Sequence, residues 1–161
     1  MRAQSTTRRA CLLGGLAGAA FMAAGGARVW AQDADVIQSQ DTNIGGIVTE
    51  IIQCKRKNGV LTIKMRLRNT SDKKKGVSIT DGSAAYDKYY LTAGDKKYFI
   101  LRDSEKVPLA TQDNGNYVNP DIDKDDTFTW WAKYPAPPAD VKTITFYTGL
   151  TAPFEDLPIT D

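Results

Sequence analysis

An Asn-Gly pair between two apolar-rich runs is the feature of this sequence that most narrows its fold. Asn58 and Gly59 separate residues 47–57 from residues 60–69, and both runs have the length and composition of strands. Asn-Gly accommodates the two positive φ angles of a type I′ turn, whose twist matches that of the flanking strands. The sequence therefore predicts an antiparallel β-hairpin with a two-residue loop.

The two-residue loop also fixes which residues of the hairpin face each other. The predicted pairs are Cys54–Ile63 and Ile52–Met65 on the apolar side, and Gln53–Lys64 and Ile51–Arg66 on the polar side. In the second run, apolar residues alternate with threonine and basic residues, which is typical of a half-buried antiparallel strand. This register places Glu50 on the apolar side opposite Leu67, and we therefore expect Glu50 at the rim of the sheet.

Further strand signals follow the hairpin, and turn residues recur about every 8–12 residues. The remaining predicted strands cover residues 76–80, 88–92, 96–101, 126–134 and 141–148, with an edge segment near Pro158. Pro120 and Pro137-Pro138 suit loops that cross between two sheets. The pattern predicts an all-β domain over residues 44–161, an antiparallel sandwich of about seven strands.

The N-terminus has the three regions of a secretory signal peptide over residues 1–31. A basic segment ending in Arg8-Arg9 precedes an apolar run over residues 11–27, and Val29 and Ala31 supply small residues for cleavage. We expect cleavage after Ala31 and a periplasmic or secreted protein. An uncleaved membrane anchor is the alternative, although a run rich in glycine and alanine spans a membrane poorly.

The export route is left open between two signals. Residues 7–13, TRRACLL, resemble the twin-arginine pattern Ser/Thr-Arg-Arg-x-Phe-Leu-Lys but depart from it at Cys11 and Leu13. A general secretory signal with a chance arginine pair is the alternative. Residues 32–43 are polar and have no periodicity, which predicts a flexible lead-in.

The charge of the chain does not favour nucleic-acid binding. The whole sequence has a net charge of +2, but the signal region contributes four arginines and no acidic residue, so residues 32–161 carry −2. Cys54 is the single cysteine after residue 31, which excludes an internal disulfide in the exported domain. The domain is expected to depend on packing alone.

Three segments carry a resemblance to a known family. They are RNTSDKK after the hairpin, YYLTAGDKKYFILRDSEKVPLA, and the ending that contains WAKYPAPPADV and PFEDLPI. They resemble a group of bacterial exported domains with a telokin-like, immunoglobulin-type sandwich, some of which precede an outer-membrane-protein-A-type domain. The resemblance implies a binding or structural module and brings no catalytic residues.

The residues needed for common catalytic centres are missing. The whole sequence has no histidine, which excludes Ser-His-Asp and Cys-His catalysis and the commonest zinc ligand. Cys54 is the only thiol of the domain, and the predicted register turns it inward, where a cysteine behaves as a small apolar side chain. The chain is therefore not expected to be an enzyme, and no cofactor is expected.

One acidic segment is a weak calcium candidate. Residues 113–126 are dense in oxygen ligands, and Asp121, Asp123 and Asp125 alternate as in the first half of a calcium loop. The pattern then fails, because Asp126 stands where glycine is needed and Ala132 where glutamate is needed. A solvated loop is the alternative.

Exposed aromatic and basic residues are the candidates for partner binding. Trp130 and Trp131 must point to opposite sides of their strand, so one is expected in the core and the other half-exposed near Tyr147 or Tyr90. The sequences KRK and SDKKK, with Lys64, Arg66 and Arg68, could form a patch for an anionic polymer or a lipid head group. A solvated charged face that blocks edge pairing is the alternative. The resulting partner-site residues are Trp131, Tyr147, Lys64 and Arg66.

These observations predict a non-enzymatic exported binding module of the bacterial cell envelope. Its partner would be an envelope protein, a polymer or a glycan, with no nucleic acid and with membrane contact only through an uncleaved signal. A structural accessory subunit of another exported protein is the alternative, and a calcium-dependent domain is a weaker one.

Overall fold

The computed structural model describes residues 36–161, and the predicted signal peptide with its cleavage site lies outside them. The described chain forms β-strands, turns and two 3₁₀ segments, Ser83–Lys88 and Asn114–Asn116. Its strands are, in chain order, β1 (Gln38–Asp41), β2 (Ile47–Lys57), β3 (Val60–Asn69), β4 (Lys75–Gly76), β5 (Thr80–Asp81), β6 (Tyr90–Ala93), β7 (Lys96–Phe99), β8 (Tyr117–Val118), β9 (Asp121–Ile122), β10 (Thr127–Pro135), β11 (Thr143–Tyr147) and β12 (Phe154–Pro158).

The predicted hairpin consists of β2 and β3 and lies at the centre of the first sheet. This sheet is antiparallel, with the strand order β1-β2-β3-β10. Asn58 and Gly59 have φ angles of 51° and 75°, both positive as a type I′ turn requires. The pairs Cys54–Ile63 and Gln53–Lys64 occur as predicted. The turn and the register nearest to it are therefore confirmed.

A β-bulge in β2 changes the register farther from the turn. The chain gains one residue there, Ile52, which has no direct partner on β3. Ile51 consequently faces Met65, and Glu50 moves to the outer side of the sheet, opposite Arg66. Three predictions are therefore wrong: the pairs Ile52–Met65 and Ile51–Arg66, and the position of Glu50 opposite Leu67. Counting from the turn without a bulge assigns the residues before Gln53 to the wrong side.

Strand β1 lies inside the segment predicted to be a flexible lead-in, residues 32–43. It pairs antiparallel with β2. The side-chain amides of Gln38 and Gln40 donate hydrogen bonds of 2.9 and 2.8 Å to the backbone carbonyls of Glu155 and Pro153. The lead-in prediction is therefore wrong for β1, because backbone pairing and these two amides attach a polar segment that has no apolar pattern.

The C-terminal segment occupies the same edge of β2 on the other side of the bulge. The Arg56 N–H donates to the Thr160 carbonyl at 2.7 Å, and the Thr160 N–H donates to the Cys54 carbonyl at 2.9 Å. One edge of β2 is thus shared by β1 and by the C-terminal segment. Ile52 lies between the two pairing regions.

The second sheet is also antiparallel, with the order β12-β11-β6-β7. Strands β6 and β7 correspond to the predicted strands 88–92 and 96–101, and they form a hairpin around Gly94 and Asp95. The predicted strand over residues 76–80 is replaced by β4 and β5, which pair with β9 and β8 in two small ladders. The Pro-rich loop after β10 crosses from the first sheet to β11 in the second, as its prolines predicted.

Buried side chains from both sheets form one hydrophobic core. Trp130 is fully buried, and its ring centroid lies 4.9 Å from that of Tyr89. The Tyr89 hydroxyl donates a 2.7 Å hydrogen bond to the Ile79 carbonyl, and burial raises the pKa of Tyr89. Two antiparallel sheets over a shared core confirm the prediction of an all-β, sandwich-like fold. No helix in residues 36–161 is long and apolar enough to span a membrane.

Candidate binding surfaces on the outer sides of the two sheets

The outer side of the first sheet is rich in basic residues. Because side chains alternate along a strand, the residues between the core positions of β2, β3 and β10 all point outward. We call the basic residues of this side the basic face: Lys55, Lys57, Lys64, Arg66, Arg68 and Lys133. The acidic residues on the same side are Asp41 of β1 and Glu50 of β2. The bulge that moves Glu50 outward is therefore part of this surface.

Glu50 holds two arginines of the basic face in fixed positions. Arg66 contacts Glu50 Oε2 through Nε and Nη2, both at 2.7 Å, and Arg68 contacts Oε1 at 2.8 and 2.7 Å. The Glu50 side chain is only 5% exposed, whereas that of Arg68 is 43% exposed. Each carboxylate oxygen thus receives two charge-assisted contacts, which is what a buried carboxylate requires.

Trp131 lies within the basic face and is partly buried. The register places it directly opposite Lys64, and the Lys133 Nζ lies 5.9 Å from its ring centroid. Its backbone N–H donates to the Thr111 hydroxyl at 2.8 Å, and its carbonyl accepts the Thr111 N–H at 2.8 Å. Both bonds lie on the edge of β10 that faces away from β3, and they hold the backbone of Trp131 there.

Tyr147 does not belong to the same surface as Trp131, Lys64 and Arg66. It lies on β11 of the second sheet, where it pairs with Tyr90. The structure therefore groups three of the four predicted partner-site residues on the basic face and places the fourth elsewhere. The expected half-exposed tryptophan is Trp131 and the core tryptophan is Trp130, but Trp131 is not beside Tyr147.

A second surface lies on the outer side of the second sheet. We call it the aromatic row, and it consists of Tyr147, Tyr90 and Phe99 with Lys97. Tyr90 stacks on Tyr147 with 4.5 Å between ring centroids and lies 6.0 Å from Phe99. The Lys97 Nζ lies 3.4 Å from the Tyr90 centroid, a close cation–π contact. Phe99 is 45% exposed, which makes it one of the most exposed large apolar residues of the described chain.

Sequence reasoning missed Phe99 and Lys97 in the aromatic row and Lys133 in the basic face. The signal for the first two was present, because a two-residue loop at Gly94-Asp95 pairs Tyr90 with Phe99. The predicted strands 88–92 and 96–101 left Ala93 in the loop between them, and this hid the pairing. Lys133 could be placed beside Lys64 only once β10 was known to pair with β3.

The three aspartates of the calcium candidate are not brought together. Asp121 lies in β9 opposite Gly76, Asp123 contacts the Lys74 Nζ at 3.5 Å, and Asp125 has a positive φ of 60°. In residues 36–161 no group of three or more Asp, Glu, Cys or His side chains is placed to hold a metal ion. The described residues of this loop therefore provide no cluster of three carboxylates.

Cys54 is fully buried in the core of the first sheet, as its predicted pairing with Ile63 implied. Burial raises the pKa of its thiol to about 12, and the nearby Arg56 offsets this only in part. A thiol with this pKa is almost entirely protonated at neutral pH and is a poor nucleophile. The buried, protonated thiol of Cys54 is therefore not activated as a nucleophile.

Over residues 36–161 the chain is an all-β domain, whose two main sheets carry the basic face and the aromatic row on their outer sides. Comparisons with protein-family models, with curated proteins and with solved structures found no match to this chain. The resemblance to exported telokin-like domains therefore stays a prediction from the sequence motifs.

Proposed function

We propose that this protein is a non-enzymatic, exported binding module of the bacterial cell envelope, with an immunoglobulin-type sandwich as its fold. Export is supported by the signal-like N-terminus, and the immunoglobulin type by the motif resemblance. The lack of histidine in the sequence and the high pKa of buried Cys54 disfavour catalysis by the commonest nucleophilic mechanisms.

The observation that carries the proposal is the segregation of charge on the basic face. Residues 36–161 contain as many acidic as basic residues, yet the outer side of the first sheet presents six basic side chains against Asp41 and Glu50. A solvated face that only keeps the domain soluble needs no such separation of sign. A surface of one sign attracts a partner of the opposite sign, and bacterial envelopes are rich in anionic polymers.

The proposal is tested by co-sedimentation of the chain from residue 32 onward with an insoluble bacterial envelope fraction. We expect the protein to sediment with the fraction and the double variant Lys64→Glu, Lys133→Glu to stay mostly in solution. Lys124→Glu is the matched control, because Lys124 is an exposed lysine of the turn after β9 and lies outside the basic face. No sedimentation of the unaltered protein with any envelope fraction would refute the proposed function.

The aromatic row favours a second candidate, a structural accessory of another exported protein. Exposed aromatic side chains at the centre of a contact are frequent anchors of protein interfaces. If this candidate holds, an affinity-tagged chain recovers one protein in stoichiometric amount from envelope extract. In that case Phe99→Ser abolishes the recovery, and Lys64→Glu with Lys133→Glu does not.

A further inference from the structure

We propose that the basic face binds an anionic polysaccharide, with sugar rings against Trp131 and the carboxylate or phosphate groups of the polymer on Lys55, Lys64 and Lys133. This inference rests on the proposed function, because it names the ligand class of the same surface.

The register arranges these residues in two adjacent rows across three strands. Lys55 and Lys133 flank Thr62 in one row. Lys64 lies opposite Trp131 in the next row. Because neighbouring strands are about 4.8 Å apart and rows on one side are about 7 Å apart, the backbone positions of Lys64, Lys133 and Lys55 lie about 5, 7 and 12 Å from that of Trp131, all three to one side of it. A linear polymer with regularly spaced charges can contact all three lysines at once.

The arginines of the basic face have a supporting role. Both are bonded to Glu50, so their charge is partly neutralised and their orientation is fixed. The lysines have no such fixed acidic neighbour among the contacts of the face, and ammonium groups on flexible stems adapt to ligand groups at varied positions. The positive charge available to a ligand therefore comes mainly from the lysines, because the two arginines share the negative charge of Glu50.

A polysaccharide fits this surface better than a lipid membrane does. Lipid surfaces are held by charge together with apolar side chains that insert below the head groups. The exposed large apolar residues of the described chain are Val36, Phe99 and Tyr117, and none of them lies on the basic face. Trp131 is only partly exposed, which suits flat contact with a sugar ring rather than insertion.

The test measures binding of the chain from residue 32 onward to alginate, to neutral dextran and to phosphatidylglycerol vesicles. We expect binding to alginate that weakens as salt is raised, with no binding to dextran and little to the vesicles. Lys64→Glu with Lys133→Glu should lower the affinity at least tenfold, and Lys124→Glu should change it less than about twofold. Trp131→Ala should lower the affinity roughly tenfold without changing its salt dependence. A melting curve for each variant shows that it is folded.

The other outcomes separate this inference from the proposed function. Binding to the vesicles without binding to alginate overturns the assignment of a polysaccharide as the ligand and points to a lipid surface. Alginate binding that Trp131→Ala leaves unchanged overturns the contact with sugar rings. If the protein sediments with envelope fractions but the lysine variants still sediment, the basic face is not the site although the binding module stands. If the protein binds neither the fractions nor alginate, both proposals fail.

Discussion

Cys54 shows most clearly how burial decides what a single residue can do. Its side chain lies on the inner side of the first sheet, opposite Ile63, and has no exposed surface. An uncharged thiol fits there as a small apolar group, and a thiolate does not. Its role is therefore packing, and two measurements follow from that.

We predict that Cys54 reacts slowly with a thiol reagent in the native protein and rapidly after unfolding. Cys54→Ala should lower the free energy of unfolding by about 1 kcal/mol, because a small buried side chain is lost from a packed core. Since burial raises the pKa from 9.0 to about 12, the folded state favours the protonated thiol. This contribution is fully present below the unfolded pKa and is lost as the pH rises from 9.0 towards 12.

Chemical denaturation across this pH range checks the second part. The wild type should lose stability more steeply above about pH 9 than Cys54→Ala does. Parallel curves for the two proteins, or rapid labelling of native Cys54, would contradict the buried position.

Glu50 is the second residue whose removal should be costly. Glu50→Gln keeps the shape of the side chain but leaves Arg66 and Arg68 without their shared carboxylate. We predict a loss of about 2 kcal/mol in the free energy of unfolding, below the range for fully buried pairs because Arg68 is half-exposed. The control Asp41→Asn, at an exposed position of β1 opposite Val48, should change it by less than about 0.5 kcal/mol. Equal effects in urea denaturation would show that the cluster does not stabilise the fold.

At the scale of elements, two glycines show what turns require. Gly59 has a φ of 75°, and a Cβ added there would meet no atom within 4 Å. Gly46 has a φ of 86°, and an added Cβ would lie 2.7 Å from the Ser71 Cβ. Gly59→Ala should therefore cost only the backbone strain of a positive φ, about 1 kcal/mol. Gly46→Ala adds a steric clash and should cost roughly 2–3 kcal/mol. Thermal unfolding of both variants tests the order, and a reversed order would show that the Gly46 region adapts freely.

The hairpin shows which elements a sequence can define and which it cannot. Asn58-Gly59 specifies its turn through backbone conformation, so the pairing of Cys54 with Ile63 was predictable from the sequence. The bulge at Ile52 was not predictable from the turn, because the turn specifies the pairing only as far as the ladder continues without an extra residue. The one sign of the bulge was that the predicted register placed an acidic residue, Glu50, on the apolar side of the hairpin. An extra residue in β2 moves Glu50 to the outer side. The sequence of β1 gave no sign of a strand, because its residues are all polar and it is held by backbone pairing, which needs no alternation of apolar and polar side chains.

At the scale of the whole molecule, the candidate site depends on which strands share a sheet. Lys64 and Trp131 are far apart in sequence and meet only because β10 pairs with β3. Tyr147 is, like Trp131, an aromatic residue that the sequence marks as a candidate for partner binding, but it lies in the second sheet. The residue types suited to binding could be recognised from the sequence. Their separation into a basic face and an aromatic row could not, because no local pattern specifies long-range strand order.

Arg56 connects three distant parts of the domain. Its Nη1 donates to the carbonyls of Pro138 and Val141 at 2.8 and 3.2 Å, in the loop that crosses between the sheets. Its Nε donates to Asp161 Oδ1 at 2.7 Å. The side chain of one residue in β2 therefore holds both the crossing loop and the C-terminal segment against the first sheet.

This arrangement predicts a specific dependence of stability on acid. The hydrogen bond from Arg56 lowers the pKa of Asp161 below its usual value of 3.8. A carboxyl group whose folded pKa is lowered stabilises the fold above its unfolded pKa, and the contribution is lost as the pH falls through the folded pKa.

Wild type should therefore be more stable than Asp161→Asn at about pH 7, by a small margin because Asp161 is largely exposed. The margin should vanish at an acid pH below the folded pKa of Asp161. Asp140→Asn is the control, since Asp140 acts on Arg56 only through longer-range attraction. Urea unfolding at both pH values decides the matter: a margin that persists in acid, or one no larger than that of Asp140→Asn, would show that the Arg56–Asp161 bond does not hold the C-terminal segment.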